Sequence, residues 1–255
     1  MSVFDDEIAR LYVQDGVSDD RIDAEAARYG PLAEDLRALI DLTIRSRAGD
    51  DEVAKVRALL DQARKVLAAD AEDHPFGVRW GASGRRRSWG NAAVGLRNAI
   101  APPLHIEHDE TGRVWADFFL HAGYEGPAGM THGGVSALIL DQMLGSCAQL
   151  GGHPGMTGTL SLRYRRPAPL GRLRAEARID RTEGVKTFVV GTIESDGQVC
   201  VEAEGVFILP RWARGTEPDA PTTPGGVDGT DVWPSARDEE TIDTAATRQG
   251  GPDDD

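Results

Sequence analysis

The sequence predicts an α+β fold in which an antiparallel β-sheet wraps around one long buried helix, with a helical extension ahead of it. Three observations lead there. About sixteen residues after Gly134 are apolar on nearly every face (Val135, Leu138, Ile139, Leu140, Met143, Leu144, Cys147, Ala148 and Leu150), and a helix apolar all round is a buried one. From residue 104 the hydrophobic period changes to two, with Val114, Ala116, Phe118 and Leu120 alternating with Trp115, Asp117 and Phe119, as in a strand. After the helix, four more strand-like segments follow one another through short turns, the pattern of an antiparallel meander.

Taken in order, residues 1–72 read as a helical extension. Leu32, Leu36, Leu39, Ile40 and Thr43 share a face after Pro31; Val53, Val56, Leu59, Leu60, Ala63, Val66 and Leu67 share another after Gly49-Asp50. Two amphipathic helices in succession suggest an antiparallel hairpin, packed on the main domain or extending a dimer contact. Residues 73–103 read as an irregular linker, with glycines at 77, 81, 84, 90 and 95 and an Arg85-Arg86-Arg87 cluster. Such a triplet is ordinarily a solvated surface, and otherwise a partner for an acid or a phosphate.

The core domain spans residues 104–212. Beyond the first strand and the helix, Leu160, Leu162 and Tyr164 form one strand. Turns at Pro169–Gly171, Glu183-Gly184 and Ser195–Gly197 then separate Leu173–Ile179, Thr187–Ile193 and Val199–Leu209. Residues 213–255, rich in Gly, Pro, Asp and Thr and ending in three aspartates, read as a disordered acidic tail.

The formal net charge of −14 sits in the flanks. Residues 1–73 hold 18 acids against 10 bases and residues 214–255 hold 11 against 3, while the centre has 13 acids against 15 bases. That distribution disfavours non-specific binding to nucleic acid. The first residues lack a basic stretch followed by an apolar run, and no segment has 18 uninterrupted apolar residues, so neither a signal peptide nor a membrane span is expected. Two cysteines, Cys147 and Cys200, fit a reducing compartment. Together these predict a cytoplasmic protein.

The candidate chemistry lies where a glycine-rich loop (Gly123, Gly126, Gly129) meets the buried helix. Thr131 is a good N-cap type, and His132-Gly133-Gly134 follow it. Free N–H groups and the positive end of the helix dipole lie there, and the two glycines let a ligand oxygen approach closely. Asp141 is the one acid in the apolar helix, where a carboxylate is normally paired, protonated or functional. His132 and Asp141 are nine residues apart, roughly 13 Å along a helix, too far to act on one carbonyl. Two copies of the helix packed antiparallel bring Asp141 of one beside Gly133 of the other, which argues for a site shared across a homodimer.

The run Gly126-Pro-Ala-Gly-Met-Thr-His132-Gly-Gly-Val-Ser-Ala-Leu-Ile-Leu-Asp141, followed by Thr157-Gly-Thr-Leu-Ser-Leu-Arg-Tyr-Arg-Arg-Pro167, resembles the PaaI-type hot-dog acyl-CoA thioesterases, in the branch with a Gly-Pro-x-Gly-x-x-His-Gly-Gly loop. The resemblance covers roughly residues 104–210. It implies a hot-dog fold, hydrolysis of an acyl-CoA to free acid and CoA without cofactor or metal, and a homodimer or dimer of dimers with shared sites. On the matching positions, the Gly133 N–H would hold the developing oxyanion. Asp141 from the partner would act as general base or nucleophile. His132 would position the thioester or its loop, Thr157 would orient the water, and Gly134 and Gly126 would line the substrate's approach. Many members of the family carry Asn where this chain has Gly126, which leaves less polar support around the carbonyl. For coenzyme A the resemblance points to Lys186, and residues 160–190 around it hold eight bases, Arg165 among them, against three acids.

Other motifs have plainer readings. His105 and His108 point to opposite faces of a strand, unsuited to a metal. Ser136 lacks the second glycine of a nucleophile elbow, and Cys147 is a core residue. Two alternatives to hydrolysis stand beside it: a non-catalytic acyl-CoA-binding or regulatory domain, and an enoyl-CoA hydratase, whose family places its Asp ahead of its His. The length of the acyl chain is not encoded in any motif.

Overall fold

The structure, a computed structural model, describes residues 12–102 and 104–209. The sequence-based tail at 213–255 and the first residues of the extension lie outside that range. Strand β1 (Tyr12–Gln14) leads into helix α1 (Asp19–Arg45) and then helix α2 (Asp50–Ala68). Helix α1 begins well before Pro31 and continues through it, burying Ile22, Ala26, Gly30, Ala33 and Arg37. That line of mostly small residues differs from the leucine face expected from sequence. Leu42 and Ile44 at its end are exposed, and α2 has no buried residue, with Val53, Val56, Leu59, Leu60 and Leu67 all exposed. Among the described residues nothing covers the apolar stripe of α2.

Residues 73–103 are more ordered than their glycine content suggests. Strands β2 (Val78–Trp80) and β3 (Arg86–Arg87) join β1 in a three-stranded sheet. Ile22, Ala26, Trp89 and Leu96 form a second small core, with Phe76 stacked on Trp89 at 5.6 Å. The arginine triplet is built into this unit instead of forming a solvated surface. Arg87 is buried and ion-paired with Asp15 and, more loosely, Glu25, and Arg85 pairs with Asp23 at 2.6 Å. Each buried guanidinium has a carboxylate because an unpaired one is costly to desolvate.

The larger sheet comprises β4 (Glu107–His108), β5 (Val114–Leu120), β6 (Met156–Tyr164), β7 (Gly171–Glu183), β8 (Lys186–Ser195) and β9 (Gln198–Ile208), all antiparallel, in the order β4-β5-β7-β8-β9-β6. It packs on helix α3 (Gly133–Leu150). Alternate residues of the strands, such as Val114, Leu173, Val189 and Ala203, meet Ile139, Leu140, Met143, Leu144 and Cys147 of the helix in one core. Burying each large side chain of this kind contributes about 1.5–3 kcal/mol. Hairpins close as the turn residues require, with Asp196 and Gly197 both at positive φ between β8 and β9.

Two expectations are corrected. The four strands after the helix are not a simple meander, because β6 pairs with β9 while β7 has β5 on its other side. The segment 165–170 does not turn back beside β6. It contains Pro167 and Pro169, which lack N–H donors, and it pairs instead with the glycine-rich loop, through Thr131 N to Ala168 O and Leu170 N to Gly129 O. Nor is α3 enclosed on every side. Gly134 and Leu138 are exposed, and Asp141, Gln142 and Gly145 are half-buried, so one strip of the helix stays open in a single chain.

That open strip adjoins β6, whose nine residues form a sheet edge and are almost all exposed. The opposite edge, β4, has only two residues. Among the described residues no helix is long and apolar enough to cross a membrane.

Candidate active site

The N-terminus of α3 is set by the loop before it. His132, not Thr131, is the N-cap: its φ of −61° and ψ of 133° are extended, and Nδ1 accepts the Gly134 N–H at 3.0 Å. Thr131 is buried and donates its hydroxyl to Pro169 O at 3.1 Å. An Nδ1 that accepts must be unprotonated, which places the ring hydrogen of neutral His132 on Nε2, on a side chain that is exposed. Gly126 lies so close beneath that a Cβ there would sit 2.7 Å from His132 Cα. The His132 backbone thus occupies the space that a side chain at this position would need.

Gly133 is the first residue of the helix. With Gly134 N–H taken by the cap and Val135 and Ser136 N–H by His132 O, the Gly133 N–H has no acceptor among the described residues. It is one of the orphan donors at a helix start, on the positive end of the dipole. Its carbonyl accepts the Tyr164 hydroxyl at 2.8 Å, and a Cβ on Gly133 would lie 3.3 Å from that oxygen.

The same loop is braced by the extension. His132 N–H donates to Tyr124 O at 2.9 Å, and the Tyr124 hydroxyl donates to Ala101 O at 3.0 Å. One turn earlier, Asp41 of α1 accepts the Ala122 N–H at 3.1 Å. Its carboxyl is held below the usual range by Arg45 and that backbone donor, against a desolvation that pushes it up. His121, 3.8 Å from Asp41, is lowered mainly by burial.

Eight residues into α3, about 12 Å along its axis, Asp141 accepts the Thr157 hydroxyl at 2.9 Å on Oδ1. Oδ2 has no hydrogen-bond partner among the described residues. Thr157, the second residue of β6, pairs with Phe207 of β9, which in turn pairs with Thr187 of β8. Asp141 and Thr157 line one end of a cavity of about 710 Å3 that follows α3 past Gly145 to Gln149. This falls within the usual range for small-molecule sites.

The structure therefore brings Asp141 to Thr157, and His132, Gly133, Gly134 and Gly126 to one another, but keeps the two groups apart within one chain. Lys186 is exposed at the start of β8, two strands across from Met156. Arg165 follows the far end of β6, roughly 25 Å of strand from Thr157, and is ion-paired with Glu202 at 2.8 Å. Arg174 and Arg181 likewise meet acids of their own chain, so part of the local basic excess is already neutralised.

Sequence reasoning missed three contributors. Tyr164 carried no signal beyond its alternation in a strand, Asp41 looked like one more helix-surface acid, and the cavity wall at residues 83–94 was read as linker. Burial drives the Cys147 thiol up to about 11, consistent with a core role. Among the described residues no group of three or more His, Cys, Asp or Glu is arranged to hold a metal ion.

The profile of the thioesterase superfamily matches residues 128–202, the stretch from this loop to β9. Acyl-coenzyme A thioesterase THEM4 of Xenopus laevis is 36% identical over 87 residues, covering 33% of this chain and 39% of the relative. The THEM4 protein of Mus musculus is 36% identical over 87 residues, covering 33% and 37%. The chain thus spans about two fifths of the length of the curated relatives it matches. A solved structure described as a thioesterase superfamily protein is 34% identical with a TM-score of 0.64, covering 71% of this chain and 90% of that one. That span is longer than residues 104–209. With 90% of such a relative matched, the chain belongs to the thioesterase superfamily.

Proposed function

We propose that the protein hydrolyses acyl-CoA thioesters to free acid and CoA, in sites that two copies of the chain complete together. The observation that carries this reading is an orphan backbone donor and a carboxylate on a single helix. A free Gly133 N–H stands at its start, and the Asp141–Thr157 pair stands two turns further along a strip left open to a neighbour. The THEM4 relatives are acyl-coenzyme A thioesterases, which supports the same chemistry. A second copy packing its α3 antiparallel against this strip sets Asp141 beside Gly133 of the partner subunit. The long open edge of β6 is a natural place for the sheets to join, since an exposed nine-residue edge is otherwise a liability.

In that arrangement Asp141 takes a proton from water held by Thr157, and the water oxygen adds to the thioester carbonyl carbon. The negative charge formed on the carbonyl oxygen meets the Gly133 N–H of the partner subunit and its helix dipole. Collapse breaks the C–S bond, and the proton returns from Asp141 to the CoA thiolate. His132 Nε2–H is a further donor at the edge of the same site. Lys186 and Arg165 serve CoA phosphates in this reading, Lys186 as a surface cation with no ion pair among the described residues and Arg165 only by leaving Glu202.

The test is thiol release from a panel of acyl-CoAs (acetyl, hexanoyl, palmitoyl, phenylacetyl, benzoyl) by wild type and Asp141→Asn. Release that falls at least about a thousandfold in the variant, with an unchanged thermal midpoint, supports the mechanism. A variant that retains near wild-type kcat sinks it. Tight binding of one acyl-CoA without release would instead establish the non-catalytic reading.

A further inference from the structure

We propose that Arg86 reads the far end of the acyl group and selects acyl chains that terminate in a carboxylate. The inference rests on the hydrolase reading above, because it takes Asp141 as the end of the cavity where the thioester lies.

The cavity has two unlike walls. One is α3, from Asp141 through Gly145 to Gln149, a rise of about 12 Å over two turns. The other comes from the N-terminal unit, residues 83–94, together with Leu104 and Ile106. Between them Leu104, Ile106 and Phe207 form an apolar stripe: Leu104 and Ile106 are buried core residues, and Phe207 lies against the helix, 3.3 Å from where a Cβ on Gly145 would be. The polar groups of the helix wall beside it, Gln142 and Ser146, are hydrogen-bonded to each other at 3.0 Å. Such a stripe takes methylenes.

Its far end is different. Arg86 is half-buried there and donates Nη1 to Gln149 Oε1 at 3.0 Å. The neighbouring arginines are neutralised, Arg85 by Asp23 and Arg87 by Asp15 and Glu25. Arg86 has no carboxylate within ion-pair distance among the described residues, and its side-chain hydrogen bond to Gln149 uses one of five N–H donors, on a neutral amide. Asp19 lines the same cavity but is exposed at its rim and accepts the Ser83 hydroxyl at 2.7 Å. A half-buried guanidinium with spare donors is costly unless something accepts from them. A carboxylate offers two oxygens in the geometry of its planar fork. The backbone that carries Arg86 is anchored on one side by the Arg85–Asp23 pair and on the other by the buried Arg87 with Asp15, and the Gln149 bond orients the guanidinium.

The chemical class that fits is an ω-carboxyacyl-CoA of medium length, its thioester at Asp141, its methylenes along Leu104 and Phe207, and its terminal carboxylate at Arg86. The reaction is unchanged; what Arg86 adds is discrimination.

The experiment measures kcat/KM on matched pairs of alkyl and ω-carboxy substrates (hexanoyl and adipoyl, octanoyl and suberoyl, decanoyl and sebacoyl-CoA) with the full chain and its Arg86→Leu and Arg86→Lys variants. The same compounds are titrated calorimetrically against Asp141→Asn, with and without Arg86→Leu. Wild type should prefer one ω-carboxy substrate over its alkyl partner by on the order of a hundredfold. Arg86→Leu should reverse that preference, raising activity on the alkyl partner, and Arg86→Lys should keep part of it. A wild type that prefers the alkyl member of every pair overturns the proposal even if Arg86→Leu does not fold. An equal change for both members of each pair also overturns it, since the guanidinium would then serve CoA or the fold. Asp141-dependent release without discrimination would defeat this proposal alone. No release from any substrate would defeat the hydrolase reading, with the calorimetric preference then deciding the role of Arg86.

Discussion

The Thr157 hydroxyl donates to Asp141 Oδ1 at 2.9 Å, joining the first turn of an edge strand to the middle of the central helix. The bond leaves Oδ2 without a partner among the described residues and restrains rotation of the carboxylate. Thr157→Val keeps the shape and removes the donor. It should lower kcat by about 10- to 100-fold with little change in KM, because a misaligned base loses the reaction geometry more than substrate binding. Steady-state kinetics on the best acyl-CoA checks this, and an unchanged kcat would show that Asp141 needs no positioning.

His132 has two separable jobs. Nδ1 caps α3 and Nε2–H faces outward. His132→Asn should preserve the cap, since Asn is among the best N-cap residues, and leave the thermal midpoint near wild type. His132→Ala should destabilise by about 1 kcal/mol. Both should lose catalytic efficiency alike if Nε2–H contributes to the reaction. Full activity in His132→Asn would confine the residue to capping.

Gly126 tests the reading of the loop. A side chain there would press on His132 Cα at 2.7 Å, so Gly126→Asn should lower both stability, by about 1–3 kcal/mol, and kcat. Denaturant midpoints and initial rates report the two effects. A gain in activity would mean that the loop yields and the asparagine reaches the carbonyl.

The pH dependence of stability carries a signature of the brace between α1 and the loop. His121 is lowered from 6.5 chiefly by burial, partly offset by Asp41. The folded state therefore binds the proton less readily than the unfolded state. The resulting contribution is fully present above about 6.5 and is lost as pH falls through the lower folded value. Urea midpoints at pH 7.5 and 5.5 should show wild type weakening on acidification and His121→Gln weakening less. Equal slopes would contradict the assignment.

Much of this was legible in the sequence because it depends on local pattern. The apolar run of α3, the two-residue period of β5 and the turn residues at Glu183-Gly184 and Ser195–Gly197 each dictate a local conformation. The loop glycines and the lone Asp141 marked the candidate site for the same reason. What escaped depends on contacts distant in sequence. Nothing local tells β6 to pair with β9 in place of β7, and the pairing of the 165–170 segment with the loop appears only once both are folded. Arg85, Arg86 and Arg87 look alike in a row, yet one is buried on Asp15, one is held by Asp23 and one faces the cavity. Their partners are 62 to 72 residues away. The face buried by α1 was misread because Ala26, Gly30 and Ala33 are small, and close packing of small residues leaves little hydrophobic signal.

The central claim is that Asp141 of one copy works with Gly133 of another, and mixed oligomers test it directly. Gly133→Pro removes the free N–H where proline is well tolerated, at the first helical residue after an extended N-cap; adding Tyr164→Phe relieves the contact with the new ring. Asp141→Asn removes the base. Each variant alone should be nearly inactive. Co-expressed with different affinity tags and purified through both, the mixed dimer should regain up to about half the wild-type rate, since one of its two shared sites has both groups intact. A mixed dimer as inactive as its parents would contradict the account and place the whole reaction within a single chain.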